Sequence, residues 1–173
     1  ASDLANSNAV GWFCGRAEFG PRALGSRSIL ADPRDPNMQK NLNLKIKFRE
    51  SFRPFAPVVL EEKAEQWFDM TCKKSAYMMF VHKLKKNKLI KKKEKNKFLN
   101  LEKVNEVRSQ IPAVTHIDNS ARIQTVNKKS NKHLYNLISK FEKKTNCPVL
   151  VNTSFNVRGE PIVNTPKEAF ECF

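Results

Sequence analysis

The chain has 173 residues, which is about one domain, and its hydrophobic content of 40 % is enough for a core and argues against a disordered chain. Its net charge of +15 predicts an anionic partner or a surface kept soluble by lysine, and no apolar run approaches the roughly 20 residues that cross a bilayer. The four cysteines form no CxxC pair and no secretory signal is visible, so we expect reduced thiols and a cytoplasmic protein.

In chain order, the first expected element is a short strand over 10–13, which leads into a glycine-rich turn. A helix is predicted over 35–45, because aspartate can cap its start and proline suits its first helical position. A second helix is predicted over 60–68. The apolar run 77–81 then predicts a short buried strand.

A lysine-rich segment follows, and between residues 83 and 97 it reads KLKKNKLIKKKEKNK, with nine lysines and one glutamate. It has no helix caps and no sustained apolar stripe. Residues 83–109 are therefore predicted to be a basic exposed insertion. The alternative is an RNA-binding strip, but the segment lacks interleaved aromatic residues on which bases could stack.

The remaining elements alternate in type. Two strands are predicted over 113–116 and 122–126, around an Asp-Asn turn. Ser130 should cap a helix whose leucine, isoleucine and phenylalanine side chains share one face. A buried strand over 147–151 and a capping box over 165–168 complete the chain. This alternation predicts an α/β layer fold.

Arginine and glycine are placed unevenly along the chain. Four of the five glycines fall within residues 11–25, and the fifth is Gly159, so two places are expected to need special backbone geometry. All nine arginines except Arg108 lie in or beside motif-like stretches, whereas the 23 lysines are spread out. Because arginine grips phosphate or carboxylate through two parallel hydrogen bonds, this sorting predicts an oxyanion site. The alternative is that some arginines pair with internal carboxylates; the candidates are Glu18, Asp32, Glu50 and Asp118.

No GxGxxG or Walker pattern is present, but four long motifs occur in order: GRAEFGPRALGSRSILADPR, KFRESFRPFAPVVL, IPAVTHIDNSARIQTV and CPVLVNTSFNVRGEPIVNTP. Together they resemble the C-terminal region of the NodU/CmcH carbamoyltransferase family. The resemblance covers nearly the whole chain apart from the lysine-rich segment. Since the chain starts without Met and stops within a predicted helix, both ends are expected to be cut from a longer protein.

The resemblance implies a YrdC-like fold, a twisted and mostly open mixed sheet flanked by helices, over residues 29–173. Residues 1–28 would form a linker to a missing N-terminal domain that resembles TsaD and holds iron. The implied function is an ATP-dependent O-carbamoyltransferase. It would convert carbamoyl phosphate and ATP, with Mg²⁺, into carbamoyl-adenylate and pass the carbamoyl group to a hydroxyl acceptor, with no membrane involved. The alternatives are a basic RNA-binding module and an interaction domain that has lost its chemistry.

The family marks of this fold are Lys-x-Arg and Ser-x-Asn, matched here by Lys47-Phe48-Arg49 and Ser154-Phe155-Asn156. Fixed cations stabilise the charge that gathers when phosphates react, so the predicted catalytic residues are Lys47, Arg49 and Arg53. The residues predicted to bind nucleotide or carbamoyl phosphate are Arg16, Arg22, Arg27, Arg122, Asn152, Thr153, Ser154, Asn156 and Arg158.

Two groups of residues keep alternative interpretations. Arg16, Arg22 and Arg27 could clamp a second anion or hold the joint to the missing domain. His116 and Asp118 are expected to form a hydrogen-bonded turn rather than a metal site, because no third ligand is near. No protein-held metal is predicted.

Overall fold

The computed structural model describes residues 1–90 and 106–172 and is built around a five-stranded mixed sheet with the strand order β1-β2-β7-β3-β6. Its strands are β1 (Val10–Phe13), β2 (Arg27–Ala31), β3 (Ala56–Leu60), β6 (Gln124–Val126) and β7 (Val149–Ser154). The strands β4 (Val81–Lys83) and β5 (Ser120–Arg122) pair separately as an antiparallel ribbon.

The sheet is open, with β1 and β6 at its edges, and helices flank it, as predicted. Only β3 and β6 run parallel, and every other pairing in the sheet is antiparallel. The central strand β7 pairs with β2 and with β3, so that Asn152 lies opposite Leu30 on one side and Ala56 on the other. The first four residues of β7 are buried, which suits a strand covered on both faces.

Five helices occur among the described residues: α1 (Ser2–Ala5), α2 (Met38–Lys45), α3 (Ala64–Trp67), α4 (Lys132–Thr145) and α5 (Pro166–Cys172). The predicted apolar face of α4 is confirmed, because Leu134, Ile138 and Phe141 are fully buried. Its cap is Asn131 rather than Ser130, and the Asn131 side chain accepts a hydrogen bond from the Leu134 amide at 3.0 Å.

The capping box at the start of α5 is confirmed. The Thr165 hydroxyl accepts a hydrogen bond from the Glu168 amide at 3.2 Å, and the Glu168 carboxylate accepts one from the Thr165 amide at 3.0 Å. These reciprocal bonds satisfy two amides that have no partner inside the helix.

The first half of the chain corrects two predictions. Helix α2 begins at Met38, three residues after Asp35, because the Asp35 carboxylate accepts from the Asn37 amide and closes a turn instead. The predicted helix over 60–68 begins only at Glu61, since residue 60 ends β3. Strand β3 escaped prediction because its continuous apolar sequence APVVL shows no alternation.

Two predicted strands are wrong. In the run 77–81, Tyr77, Met79 and Phe80 are exposed, because Met78 takes a left-handed conformation (φ 55°) that interrupts an extended chain. The strand there begins at residue 81. The segment 113–116 is not a strand, because its first two residues belong to a 3₁₀ turn over Pro112–Val114 that begins at the proline.

Both ends of the segment 83–109, which is predicted to be a basic exposed insertion, contact the rest of the fold. Leu84 and Ser109 are buried in the fold, Lys83 forms an ion pair with Asp118, and Lys85 forms one with Asp69. Residues 91–105, which carry the rest of the lysine-rich segment, lie outside the described residues. None of the helices in the described part of the chain has the length and apolar character needed to cross a bilayer.

Candidate active site

The Lys-x-Arg motif lies in a loop that wraps around the carboxyl end of α2. The Lys47 amide donates to the carbonyl of Leu42 at 2.9 Å, and the Arg49 amide donates to the carbonyl of Asn43 at 3.0 Å. Between them Phe48 has a φ of 45°, a backbone conformation that costs a non-glycine residue of order 1–3 kcal/mol. The turn brings both cations to the carboxyl end of β7.

Lys47 joins the two family motifs directly. Its buried ammonium donates to the carbonyl of Ser154 at 2.5 Å, and to the carbonyl and side-chain oxygens of Asn156, each at 2.8 Å. Ser154 in turn donates its hydroxyl to the Asn156 side-chain oxygen at 2.7 Å. Burial, with the nearby Arg49 charge, lowers the pKa of Lys47 to about 8. An incoming anion would favour the charged ammonium.

These residues border a first cavity of about 300 Å³ that is rich in positive charge. Its charged lining residues are Lys47, Arg49, Glu50, Arg53 and Arg158. Its polar lining is completed by Thr153, Ser154 and Asn156. Four cations against one carboxylate leave a surplus of positive charge, which is the electrostatic requirement for a polyanion site. All three predicted catalytic residues therefore border the same cavity.

Arg53 and Arg158, which line the first cavity, also make contacts within the protein. Arg53 pairs with Glu50 at 3.3 Å, which is one of the internal ion pairs considered from the sequence; Arg34 with Asp32 is another. Arg158 donates to the carbonyl of Phe48 at 3.0 Å and so supports the strained turn.

A second cavity of about 200 Å³ adjoins the first and shares Arg49, Thr153 and Ser154 with it. Its own cations are Arg22 and Arg122. Burial and the charge of Arg22 lower the pKa of Arg122, as expected for like charges held together without a carboxylate. The structure thus brings two cation clusters side by side, with one arginine common to both.

The loop that carries Arg22 is held in place by a chain of amides. Asn152 donates to the Ala23 carbonyl at 3.1 Å and to the Gln124 side-chain oxygen at 2.7 Å, and Gln124 donates to the Leu24 carbonyl at 2.7 Å. Glu18 accepts from the Leu24 amide at 2.6 Å instead of pairing with an arginine. Sequence reasoning missed Gln124, although an amide side chain within the predicted strand 122–126 is a recognisable signal.

Two predicted binding residues are not brought to either cavity. The Arg27 guanidinium is buried over the Phe13 ring, 3.5 Å from its centroid, and donates to the carbonyls of Gly15 at 3.0 Å and Asn164 at 3.2 Å. Arg16 is exposed and lines neither cavity. The two phenylalanines near Arg49 and Arg53 differ in burial: Phe55 is buried beneath Arg49, whereas Phe52 is half exposed.

His116 and Asp118 form the predicted hydrogen-bonded turn. Both bond to the Ser120 hydroxyl, His116 at 3.1 Å and Asp118 at 2.6 Å. Hydrogen bonds from Lys83 and Ser120 hold the pKa of Asp118 well below its usual range. No cluster of three histidine, cysteine or acidic side chains suited to a metal ion occurs within residues 1–90 and 106–172.

Comparison with known proteins shows the family to which the chain belongs. The profile of the family described as carbamoyltransferase C-terminus matches residues 1–173, so the chain belongs to this family.

Its relatives include an uncharacterized protein of Synechocystis, which is 56 % identical over 171 residues and matches 98 % of this chain and 28 % of its own length. Nodulation protein NolO of Bradyrhizobium diazoefficiens is 40 % identical over 172 residues, which are 98 % of this chain and 28 % of the relative. Nodulation protein U of Sinorhizobium fredii is 39 % identical over 172 residues, which are 99 % of this chain and 27 % of the relative. The chain therefore spans less than a third of these curated relatives.

Proposed function

We propose that this chain is the nucleotide- and carbamoyl-phosphate-binding part of an ATP-dependent O-carbamoyltransferase. The observation that supports the proposal most strongly is the pair of adjoining cationic cavities with Arg49 between them. The use of two phosphorylated substrates needs such an arrangement, because the carbamate released from carbamoyl phosphate must lie within reach of ATP while the negative charges are neutralised.

The first cavity is assigned to the phosphates of ATP and the second to carbamoyl phosphate. The first is the larger, and it is bordered by Ser154 and Asn156, whose side chains bond to each other and to Lys47. The second is smaller, and its arginines suit the compact phosphate of carbamoyl phosphate through two parallel hydrogen bonds. Arg49 would then contact both substrates.

The proposed reaction requires little covalent participation by the protein. Carbamoyl phosphate gives up its phosphate to water, a carbamate oxygen bonds to the α-phosphorus of ATP, and pyrophosphate leaves to give carbamoyl-adenylate. The acceptor hydroxyl then attacks the carbamoyl carbon, and AMP leaves. Each leaving group is an anion, so the cations of this site would contribute mainly by stabilising developing negative charge.

Mg²⁺ would enter with ATP and be held mainly by its phosphates. Among the described residues that border the first cavity, Glu50 is the only carboxylate, and half of its side chain is exposed. One carboxylate together with substrate phosphates is a sufficient ligand set for Mg²⁺. No protein cage for the ion is required.

The partner proposed for this domain is a TsaD-like N-terminal domain of the same protein, which would hold the iron and select the hydroxyl acceptor. The support is that each relative extends well beyond the matched part. The acceptor is a small molecule of unspecified identity.

Titration calorimetry with Mg·ATP and with carbamoyl phosphate tests the proposal. Arg53→Ala should weaken Mg·ATP alone, Arg122→Ala should weaken carbamoyl phosphate alone, and Arg49→Ala should weaken both, each by about tenfold for the loss of one charged contact. Lys129→Ala is the matched control, because it removes an exposed cation that lines neither cavity. Absence of heat with both ligands, or equal losses in all four variants, would refute the proposal.

A further inference from the structure

Asn43 is a fully buried polar residue on α2, outside all of the family motifs, and it touches the site through Arg49. Its side-chain oxygen accepts a hydrogen bond from Arg49 Nε at 2.6 Å. Its side-chain nitrogen donates to the carbonyls of Ser51 at 3.0 Å and Arg53 at 2.8 Å. The Asn43 amide thus holds the side chain of Arg49 and, through two carbonyl groups, the backbone of the loop that follows.

The second contact of Arg49 completes its orientation. The guanidinium carbon lies 4.9 Å from the centroid of the buried Phe55 ring. A planar group that is held at Nε and lies over an aromatic face has little freedom left. The two terminal nitrogens of Arg49 make no hydrogen bond with the described residues, and the side chain borders both cavities.

The helix contributes a second amide one turn earlier. Gln39 Nε2 donates to the carbonyls of Phe52 at 2.8 Å and Arg53 at 3.3 Å. Residues four apart lie on the same helix face, so Gln39 and Asn43 hold the loop against α2 together. Only Asn43 reaches a guanidinium, which separates its contribution from that of a general loop support.

We propose that Asn43 is the positioning residue of the site, and that it orients Arg49 so that one guanidinium serves ligands in both cavities. The inference rests on the proposed function, because it takes ATP and carbamoyl phosphate as the two ligands. It goes further in assigning the link between the two sites to a residue that contacts neither substrate.

A double-mutant cycle on ligand affinity tests this inference. We expect Asn43→Ala to weaken Mg·ATP and carbamoyl phosphate by about tenfold each, because a hydrogen bond to a charged group is lost. Arg49→Ala should weaken both at least as much. For carbamoyl phosphate, the double variant should bind no more weakly than Arg49→Ala, since Arg49 is the one cation of the second cavity that Asn43 contacts. Mg·ATP is the less direct readout, because Asn43 also holds the backbone of Arg53 at the first cavity.

Loss of stability alone has to be separated from loss of orientation. Asn127→Ala is the matched control: its amide makes three hydrogen bonds, to Glu61, Lys129 and Ser130, and it borders neither cavity. This variant should lower the unfolding midpoint without changing either affinity. Arg49→Lys supplies a test with Asn43 intact, because lysine keeps the charge but lacks the Nε–H group and the planar fork. It should lose about tenfold in affinity for both ligands.

The outcomes distinguish the two levels of the proposal. If the unmodified chain binds neither ligand, the proposed function fails, and this inference fails with it. If the unmodified chain binds both, additive losses of carbamoyl phosphate affinity in the double variant, or unchanged affinities in Arg49→Lys, would overturn the role of Asn43 alone.

Discussion

The affinity of the site for phosphates is expected to fall as the pH rises, because Lys47 loses its positive charge. The lowered pKa of this residue, about 8, lies within reach of ordinary buffers, whereas arginine stays charged throughout. ATP phosphates have completed most of their last ionisation by pH 7, since phosphate monoesters titrate near a pKa of about 6. Lys47 is therefore the group that changes charge between pH 7 and pH 10 among the described residues that line the first cavity.

The magnitude follows from the charged fraction of Lys47. With a pKa of about 8, that fraction falls from about 0.9 at pH 7 to about 0.09 at pH 9. If only the ammonium form holds Ser154 and Asn156 in place for the phosphates, the apparent affinity for Mg·ATP should fall about tenfold over this range. The direction is fixed, because deprotonation removes a positive charge from an anion site.

Titration calorimetry of Mg·ATP at pH 7, 8 and 9, at constant ionic strength, measures this slope. Lys47→Met has a side chain of similar length without charge, so its affinity should be weaker at pH 7 and independent of pH. A flat profile in the unmodified chain, or a slope that persists in Lys47→Met, would refute this role of Lys47.

Three further predictions concern stability and the lysine-rich segment. Gly25→Ala should lower the free energy of unfolding by about 2–4 kcal/mol in urea titrations, because Gly25 has φ 107° and a Cβ there would lie 2.3 Å from a methyl carbon of Leu134; an unchanged midpoint would contradict this. Burial raises the pKa of the Cys147 thiol to about 12 in the folded chain, so the thiol of the unfolded chain loses its proton at lower pH. The contribution of this thiol to the free energy of unfolding is therefore complete below about pH 9 and declines above it. Relative to Cys147→Ala, the free energy of unfolding should therefore fall by about 1.4 kcal/mol between pH 8 and pH 10, and parallel profiles would refute the assignment. Replacing the five lysines between residues 91 and 97 with serine should leave Mg·ATP affinity unchanged; loss of a steeply salt-dependent RNA affinity would instead favour the nucleic-acid alternative.

The elements that were predicted correctly are those whose pattern is local. The apolar face of α4 follows from a period of 3.6 residues, and the capping box of α5 follows from residues three apart. Strand β1 occurs where it was predicted, and the predicted strand 147–151 lies mostly within β7. The mixed, open sheet was expected from the family resemblance and is present.

The errors occurred where a short pattern fits more than one structure. A continuous apolar run such as APVVL has no period, so β3 escaped prediction. The run 77–81 is apolar but mostly not buried, because the left-handed conformation of Met78 interrupts the strand and leaves Tyr77, Met79 and Phe80 exposed. The lysines at 83 and 85 were assigned to an insertion, although their ion partners lie elsewhere in the chain, at Asp118 and Asp69.

For the site, the sequence alone determined the residue types. The placement of the arginines predicts an oxyanion site, the family resemblance implies that the Lys-x-Arg and Ser-x-Asn motifs belong to it, and the structure places both motifs at one cavity. Tertiary structure decided which other arginines line a cavity: Arg22 and Arg122 border the second cavity together, whereas Arg27 is turned inward. It also decided that Asn43 and Gln124 hold the cationic loops. The physical reason is that backbone preference depends on near neighbours, whereas a long charged side chain points toward whichever partners the completed fold brings within hydrogen-bonding distance.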